Sequence, residues 1–180
     1  VVVANSPHNM SVDELNRLNQ ACVVAVRFNI KRGGSEKVEF MQTLSNKLYD
    51  QFGCHKELYI DSKDLASLKP LLKTLPKFSI DHLGLTDVGL KELLYWVERG
   101  VKVKATGFGR INFDPIPTMK AIYDVNPQAL MFGTDLPSTR AKTPFSQADI
   151  YLIREHFSED ALENIFCKNA RQFYNLNTRI

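Results

Sequence analysis

The sequence predicts an α/β protein built on a parallel sheet. Short β-branched or aromatic runs alternate with amphipathic helical patterns, no stretch is long enough for an interdomain linker, and 180 residues suffice for one domain with a sizeable core. Composition agrees: 44% hydrophobic, 24% charged and 10% aromatic residues are the proportions of an ordinary globular chain, neither disordered nor fibrous.

Taken in order, Val1–Ala4 is the first strand. Ser11 followed by Glu14 is a capping box, and Val12, Leu15 and Leu18 share one face of the helix it opens. Cys22–Ile30 is the second strand, followed by a helical stripe of Val38, Met41, Leu44, Leu48 and Phe52. Strand Glu57–Ile60 leads to a stripe of Leu65, Leu68, Leu72 and Leu75 that stops at Pro76. Strand Lys77–Asp81 precedes a helix marked by Val88, Leu90, Leu93, Leu94 and Val97 and closed by Gly100 just past its end. Val101–Thr106 and Leu130–Phe132 are the remaining strands, and the glycine turn after the first of them leads into Asn112-Phe113-Asp114-Pro115, not directly into a helix. Asp135–Pro144 is a loop following a strand. Ile150, Ile153, Phe157, Leu162, Ile165, Phe166 and Phe173 then mark one or two terminal helices. This periodicity fits either an open doubly wound sheet or a (β/α)8 barrel without its first units, the whole chain 1–180 forming one domain.

Charge and cysteine content exclude several functions. Lys and Arg number 23 against 20 Asp and Glu, scattered along the chain, and the nearest approach to a basic run is Lys31–Arg32. Neither nucleic acid nor an anionic membrane surface is an expected partner. No apolar stretch approaches the roughly 20 residues of a membrane span. The three cysteines, Cys22, Cys54 and Cys167, are far apart and form no Cys-x-x-Cys pair, which predicts free thiols and a cytoplasmic, reducing location. The chain starts without Met on a strand and shows no signal-peptide pattern, so an upstream portion is expected.

Chemistry in a parallel α/β protein sits at the carboxyl ends of its strands. Those ends carry Arg27 and Asn29 with Lys31, Arg32 and Gly33–Gly34 beyond, then Tyr59 and Asp61, then Asp81-His82-Leu83-Gly84, then Gly107-Phe108-Gly109-Arg110, and finally Gly133-Thr134-Asp135. Each has a structural reading too. His82 can satisfy a buried carbonyl, Asp135 can cap a turn before Pro137, Arg27 can pair with a carboxylate of the sheet, Arg110 can face solvent, and Tyr59 can be strand packing. Asp64, Glu92, Glu98, Glu155, Glu159 and Glu163 fall on helical faces, while His8, His55 and His156 lie in structural contexts. The coincidence of a His, an Asp, a Tyr and several Arg on one rim is the functional signal. No third glycine completes a dinucleotide loop at Gly107-Phe108-Gly109, and no Walker loop or Gly-x-Ser-x-Gly elbow occurs.

At these residues the chain resembles the amidohydrolase superfamily, within it the amidohydrolase 2 family, and there most nearly the 2-pyrone-4,6-dicarboxylate lactonase group. The matching motifs are Val26-Arg27-Phe28-Asn29, Ile80-Asp81-His82-Leu83-Gly84, Val103-Lys104-Ala105-Thr106-Gly107 with Arg110, Met131-Phe132-Gly133-Thr134-Asp135-Leu136-Pro137 and Asn169-Ala170-Arg171-Gln172-Phe173-Tyr174. Leu136 stands where the family usually has Trp. The resemblance implies a (β/α)8 TIM barrel lacking its first one or two βα units. It implies hydrolysis of a small carboxylate-bearing cyclic ester or amide, with Asp135 activating water and His82 polarising the carbonyl or binding metal. Arg27, Arg32 (or Lys31), Tyr59 and Arg110 would then hold substrate carboxylates. A divalent metal, zinc, would be held by His82 and Asp135 only in a metal-dependent variant, and none is implied if the chain is lactonase-like. The family's first-strand His-x-His pair is absent from this sequence and is expected upstream of Val1. The alternatives are a metal-dependent decarboxylase of the same family and an inactive barrel that binds an anionic ligand or associates as a homo-oligomer through its open edge.

Overall fold

The structure is a computed structural model that describes residues 2–5, 11–32 and 38–176, so His8 and Gly33–Gly34 lie outside the described residues. Six strands, β1 (Val2–Asn5), β2 (Val23–Asn29), β3 (His55–Tyr59), β4 (Phe78–Ile80), β5 (Lys102–Ala105) and β6 (Leu130–Phe132), pair in parallel in the order of the sequence. Every expected strand is present, with ends displaced by at most two residues and those of β6 not at all. The consecutive order decides between the two architectures. A doubly wound sheet reverses direction at a switch point, whereas a barrel adds each strand on the same side of the last. The chain is therefore of the TIM-barrel type, with six strands among the described residues.

Helices connect the strands. α1 (Val12–Gln20) is opened by the predicted capping box, in which the Ser11 hydroxyl accepts from the Glu14 amide and Glu14 returns the bond to the Ser11 backbone. α2 (Val38–Phe52) buries Met41, Leu44 and Leu48. The stripe from Leu65 to Leu75 does not form one helix. A 3-10 turn over Ser62–Asp64 precedes it, residues 65–68 are turns, and only the short α3 (Lys69–Leu72) is α-helical, because Pro70 has no N–H to give and restrains Lys69 before it. Leu65, Leu72 and Leu75 are buried all the same. α4 (Leu90–Glu98) lies within the predicted stripe, and Gly100 beyond it adopts φ +87°, but Val88 precedes the helix and is 78% exposed.

A helix for which the sequence reading named no apolar stripe follows Asn112-Phe113-Asp114 and begins at Pro115. In α5 (Pro115–Val125), the Asp114 carboxylate accepts from the Ile116 amide at 3.0 Å while Pro115 fills the first helical position, where its missing N–H costs nothing. The chain ends in α6 (Gln147–Arg154), α7 (Glu159–Glu163) and α8 (Asn169–Phe173), the last two joined by a π-helical turn over Asn164–Lys168.

The two faces of the sheet differ. Val26, Phe28, Leu58, Ile60, Phe78, Ile80, Val103 and Leu130 pack with Leu93, Trp96, Met119 and Ile122 of the helices in the main core. Residues one position along point the other way. Met131 and Val24 meet Phe173 and Tyr174 of the terminal segment, and Arg27 stands opposite Glu57 in the register of β2 and β3. Cys22, Cys54 and Cys167 are free thiols, and no described helix is long and apolar enough to cross a membrane.

Candidate functional site

The carboxyl ends of β2 to β6 surround a cavity of about 390 Å³ whose lining includes all six predicted residues: Arg27, Arg32, Tyr59, His82, Arg110 and Asp135. Their backbones are shaped for it. His82 and Asp135 both adopt left-handed conformations, φ 51° and 57°, as do Leu83, Leu85 and Arg140 around them. Such conformations cost of order 1–3 kcal/mol for a non-glycine residue and persist where the surroundings fix them. Gly107, at φ +60°, is irreplaceable for a different reason: a Cβ there would stand 2.6 Å from His82 Nδ1 and 3.1 Å from Arg110 Cδ.

His82 is buried, and its Nδ1 lies 2.8 Å from the Thr106 hydroxyl and 3.2 Å from the Thr106 carbonyl. A carbonyl only accepts, so Nδ1 carries the hydrogen and Nε2 presents a lone pair to the cavity. Burial pushes the His82 pKa below its ordinary value, against the pull of Asp81 and Asp135, so the neutral ring is the working form. That geometry disagrees with one expected role. A neutral ring with its hydrogen on Nδ1 has nothing to donate at Nε2 and cannot polarise a carbonyl oxygen.

Asp135 divides its two oxygens. Oδ2 accepts from Arg110 Nε at 2.5 Å, and Oδ1 stands 3.9 Å from His82 Nε2. Two acceptors at that separation do not bond each other, but a single water can donate one hydrogen to each. Arg110 is not solvent-facing. Its Nη2 donates to the Thr139 carbonyl at 3.1 Å, and its side chain is 10% exposed.

Arg27 takes its structural reading while still lining the cavity. Its Nε lies 3.1 Å from Asp81 Oδ2, and its Nη2 lies 3.6 Å from Glu57 Oε2. Lys104, which sequence reasoning passed over, sits 2.5 Å from Glu57 Oε1 and 3.3 Å from Asp81 Oδ1, and Tyr174 donates to Glu57 Oε1 at 2.8 Å. Burial and the Glu57 charge push the Tyr174 hydroxyl far up, so it remains a donor. Arg27, Lys104, Glu57 and Asp81 thus form a neutral floor under the cavity, with Glu57 and Asp81 fully buried. The available signal was strand alternation, since Glu57 shares a face with Tyr59, and Lys104 with Thr106.

Net positive charge lies higher, at the rim. Arg32 stacks over the Tyr59 ring at 5.2 Å, Arg140 lines the same cavity, and no ion pair joins either to a carboxylate among the described residues. Lys31 is committed to Asp61 at 2.7 Å, which raises the Lys31 pKa, while Lys31 and Thr86 hold the Asp61 carboxyl below its usual range despite burial. As a metal centre the site is poorly supplied. His82 and Asp135 are two ligands where zinc takes at least three from protein, one Asp135 oxygen is held by a guanidinium, and no group of three or more His, Cys, Asp or Glu among the described residues could hold an ion.

The amidohydrolase family profile matches residues 1–176. No curated protein matches the sequence significantly. Among solved structures, a probable 2-pyrone-4,6-dicarboxylic acid hydrolase from Acinetobacter baumannii, crystallised with citric acid bound, is similar with a TM-score of 0.78 at 20% identity, over 94% of this chain and 71% of that one. An Agrobacterium tumefaciens protein in its apo form also gives 0.78, at 16% identity, over 97% of this chain and 69% of that one. At those identities the likeness is one of fold.

Proposed function

The chain belongs to the amidohydrolase family and is an enzyme of the hydrolase type, and from that premise we propose that it opens a small cyclic ester (a lactone) or amide that carries carboxylates, using water activated by Asp135. The observation that carries this reading is the pairing of Asp135 Oδ1 and His82 Nε2, two acceptors 3.9 Å apart, at the edge of a cavity where Arg32 and Arg140 have no ion pair to a carboxylate among the described residues. A water held between the two acceptors loses its proton to Asp135 as it attacks the carbonyl carbon; the ring bond from that carbon to oxygen or nitrogen then breaks, and Asp135 returns the proton to the leaving atom, which stays in the opened molecule. Arg110 keeps the carboxylate aimed through its Nε, and its guanidinium, which lines the same cavity, stabilises the oxyanion. Arg32 and Arg140 suit carboxylates, which guanidinium groups bind in bidentate fashion. A planar dicarboxylated pyrone, the substrate class named for the Acinetobacter baumannii protein, fits that demand.

The test is hydrolysis of 2-pyrone-4,6-dicarboxylate by wild type and Asp135→Asn. An amide cannot take the proton, so turnover should fall by about 10²–10⁴-fold with an unchanged circular dichroism spectrum. Activity within tenfold of wild type would remove Asp135 from the mechanism. The reading also needs no metal at these residues, so chelation should leave the rate unchanged. Loss of activity that zinc restores would instead favour the metal-dependent decarboxylase reading.

A further inference from the structure

At the opposite rim, where β4 and β5 begin, a second cleft of about 350 Å³ opens between the sheet, the end of α4 and the terminal helix. Its volume lies within the range of small-molecule pockets. Four cations line it, Lys73, Lys77, Arg99 and Lys102, and no carboxylate does; Arg99 is paired with Glu98 at 3.1 Å outside the lining, which leaves the three lysines as the cationic surface. Lys77 and Lys102 spend one hydrogen each on neutral acceptors, the carbonyls of Phe173 at 2.7 Å and Gln128 at 2.8 Å, so neither charge is compensated there. Burial lowers the pKa of both, and Lys77 lowers that of Lys102 further, an electrostatic cost that a bound anion would offset. The walls are aromatic: Phe78, Trp96 and Phe173, with the Phe78 and Trp96 rings in edge contact at 5.5 Å. Trp96 is 4% exposed, and its indole N–H has no hydrogen-bond partner, an unmet donor in a buried side chain beside an uncompensated cationic surface.

We propose that this cleft is a second binding site, separate from the catalytic rim, for a small ring-bearing dianion such as an aromatic dicarboxylate. The lysines meet its carboxylates, the aromatic walls take its ring, and the Trp96 N–H supplies a further donor.

Trp96 is the only tryptophan in the chain, so its fluorescence reports this cleft and not the catalytic cavity. Isophthalate titrated into the full chain should quench that emission saturably with a Kd below about 1 mM. Lys102→Gln should weaken binding by about tenfold. Because Lys77 also holds the Phe173 carbonyl, and its loss can loosen the terminal helix, the companion variant is Lys73→Ala, on the exposed lip, expected to weaken binding several-fold with an unchanged melting temperature. Arg32→Ala, at the far rim, should leave the quenching curve where it was. The proposal is overturned if isophthalate fails to quench up to about 10 mM, if neither lysine variant moves the curve, or if Arg32→Ala moves it as far as they do. Phosphate or succinate binding as tightly as isophthalate would overturn recognition of the ring.

Discussion

Arg110 and Arg32 are both rim guanidinium groups, yet the contacts they make assign them different work. Arg110 touches the proposed base, so Arg110→Ala should lower kcat and raise KM together, since an unaimed carboxylate loses both water and charge balance. Arg32 and Arg140 touch neither Asp135 nor His82 by hydrogen bond, so their replacement by Ala should raise KM by about tenfold each and leave kcat within a few-fold. Steady-state kinetics on the dicarboxylate distinguishes the cases, and a pure KM effect for Arg110→Ala would contradict its positioning of the base. On the helix-facing side, Lys56 is fully buried with its ammonium 3.2 Å from the Cys54 carbonyl, and burial lowers its pKa to about 8. The unfolded chain holds that proton up to its ordinary pKa near 10.5, so the penalty is complete below about pH 8 and fades as pH rises toward 10.5. Lys56→Met should therefore stabilise the fold by at most about 3 kcal/mol at pH 7, and by progressively less by pH 10. Paired melts at the two pH values check it, and an equal gain at both would point to packing alone.

Elements show what a linear reading reaches and where it stops. The six strands and the capped first helix were legible because local patterning sets them: period-2 apolar runs, and Ser11 three residues before Glu14. The strand-end residues were legible for the same reason, since topology alone sends them to one rim. Glu57 and Lys104 were not. They lie inside strands, and whether such charges are solvated or paired depends on which strand stands beside them, a matter of register that no local window contains. α5 carried no legible stripe although Asp114 and Pro115 give its start signal, because two prolines, Pro115 and Pro117, stand in its first turn and its buried apolar residues are few, Ile116, Met119 and Ile122. Asn169 was visible only as part of a motif. Its buried amide donates to the carbonyls of Pro127 at 2.9 Å and Leu130 at 2.8 Å, pinning α8 to the entrance of β6. Asn169→Ala leaves those carbonyls without their donor and should cost about 2–3 kcal/mol. Urea denaturation measures it, and a loss under about 0.5 kcal/mol would mean that water replaces the amide.

Across the whole molecule, one sheet serves two unlike surfaces, an apolar one under the helices and a charged one on the other side. The charged side is tolerable because its buried acids and bases balance. Lys104→Met upsets that balance by leaving Glu57 and Asp81 with Arg27 as their remaining cation, so it should destabilise the chain by about 3–5 kcal/mol. Adding Glu57→Gln should recover part of the loss, and thermal denaturation of the single and double variants reports the coupling. No recovery would mean that Lys104 acts through its aliphatic stem. The two rims, one carrying His82 and Asp135 and the other Lys77 and Lys102, stand at opposite ends of one sheet.

The bond from Tyr174 to Glu57 joins residues 117 positions apart. At about 5–20 residues per second, a ribosome releases Glu57 on the order of ten seconds before it finishes the tyrosine that completes its coordination. Through that interval Glu57 lacks its phenol donor, and Lys104 is the other described group on the same carboxylate oxygen. The segment that ends in Tyr174 therefore closes the charged floor late, after all four residues of that floor, Arg27, Glu57, Asp81 and Lys104, have been made.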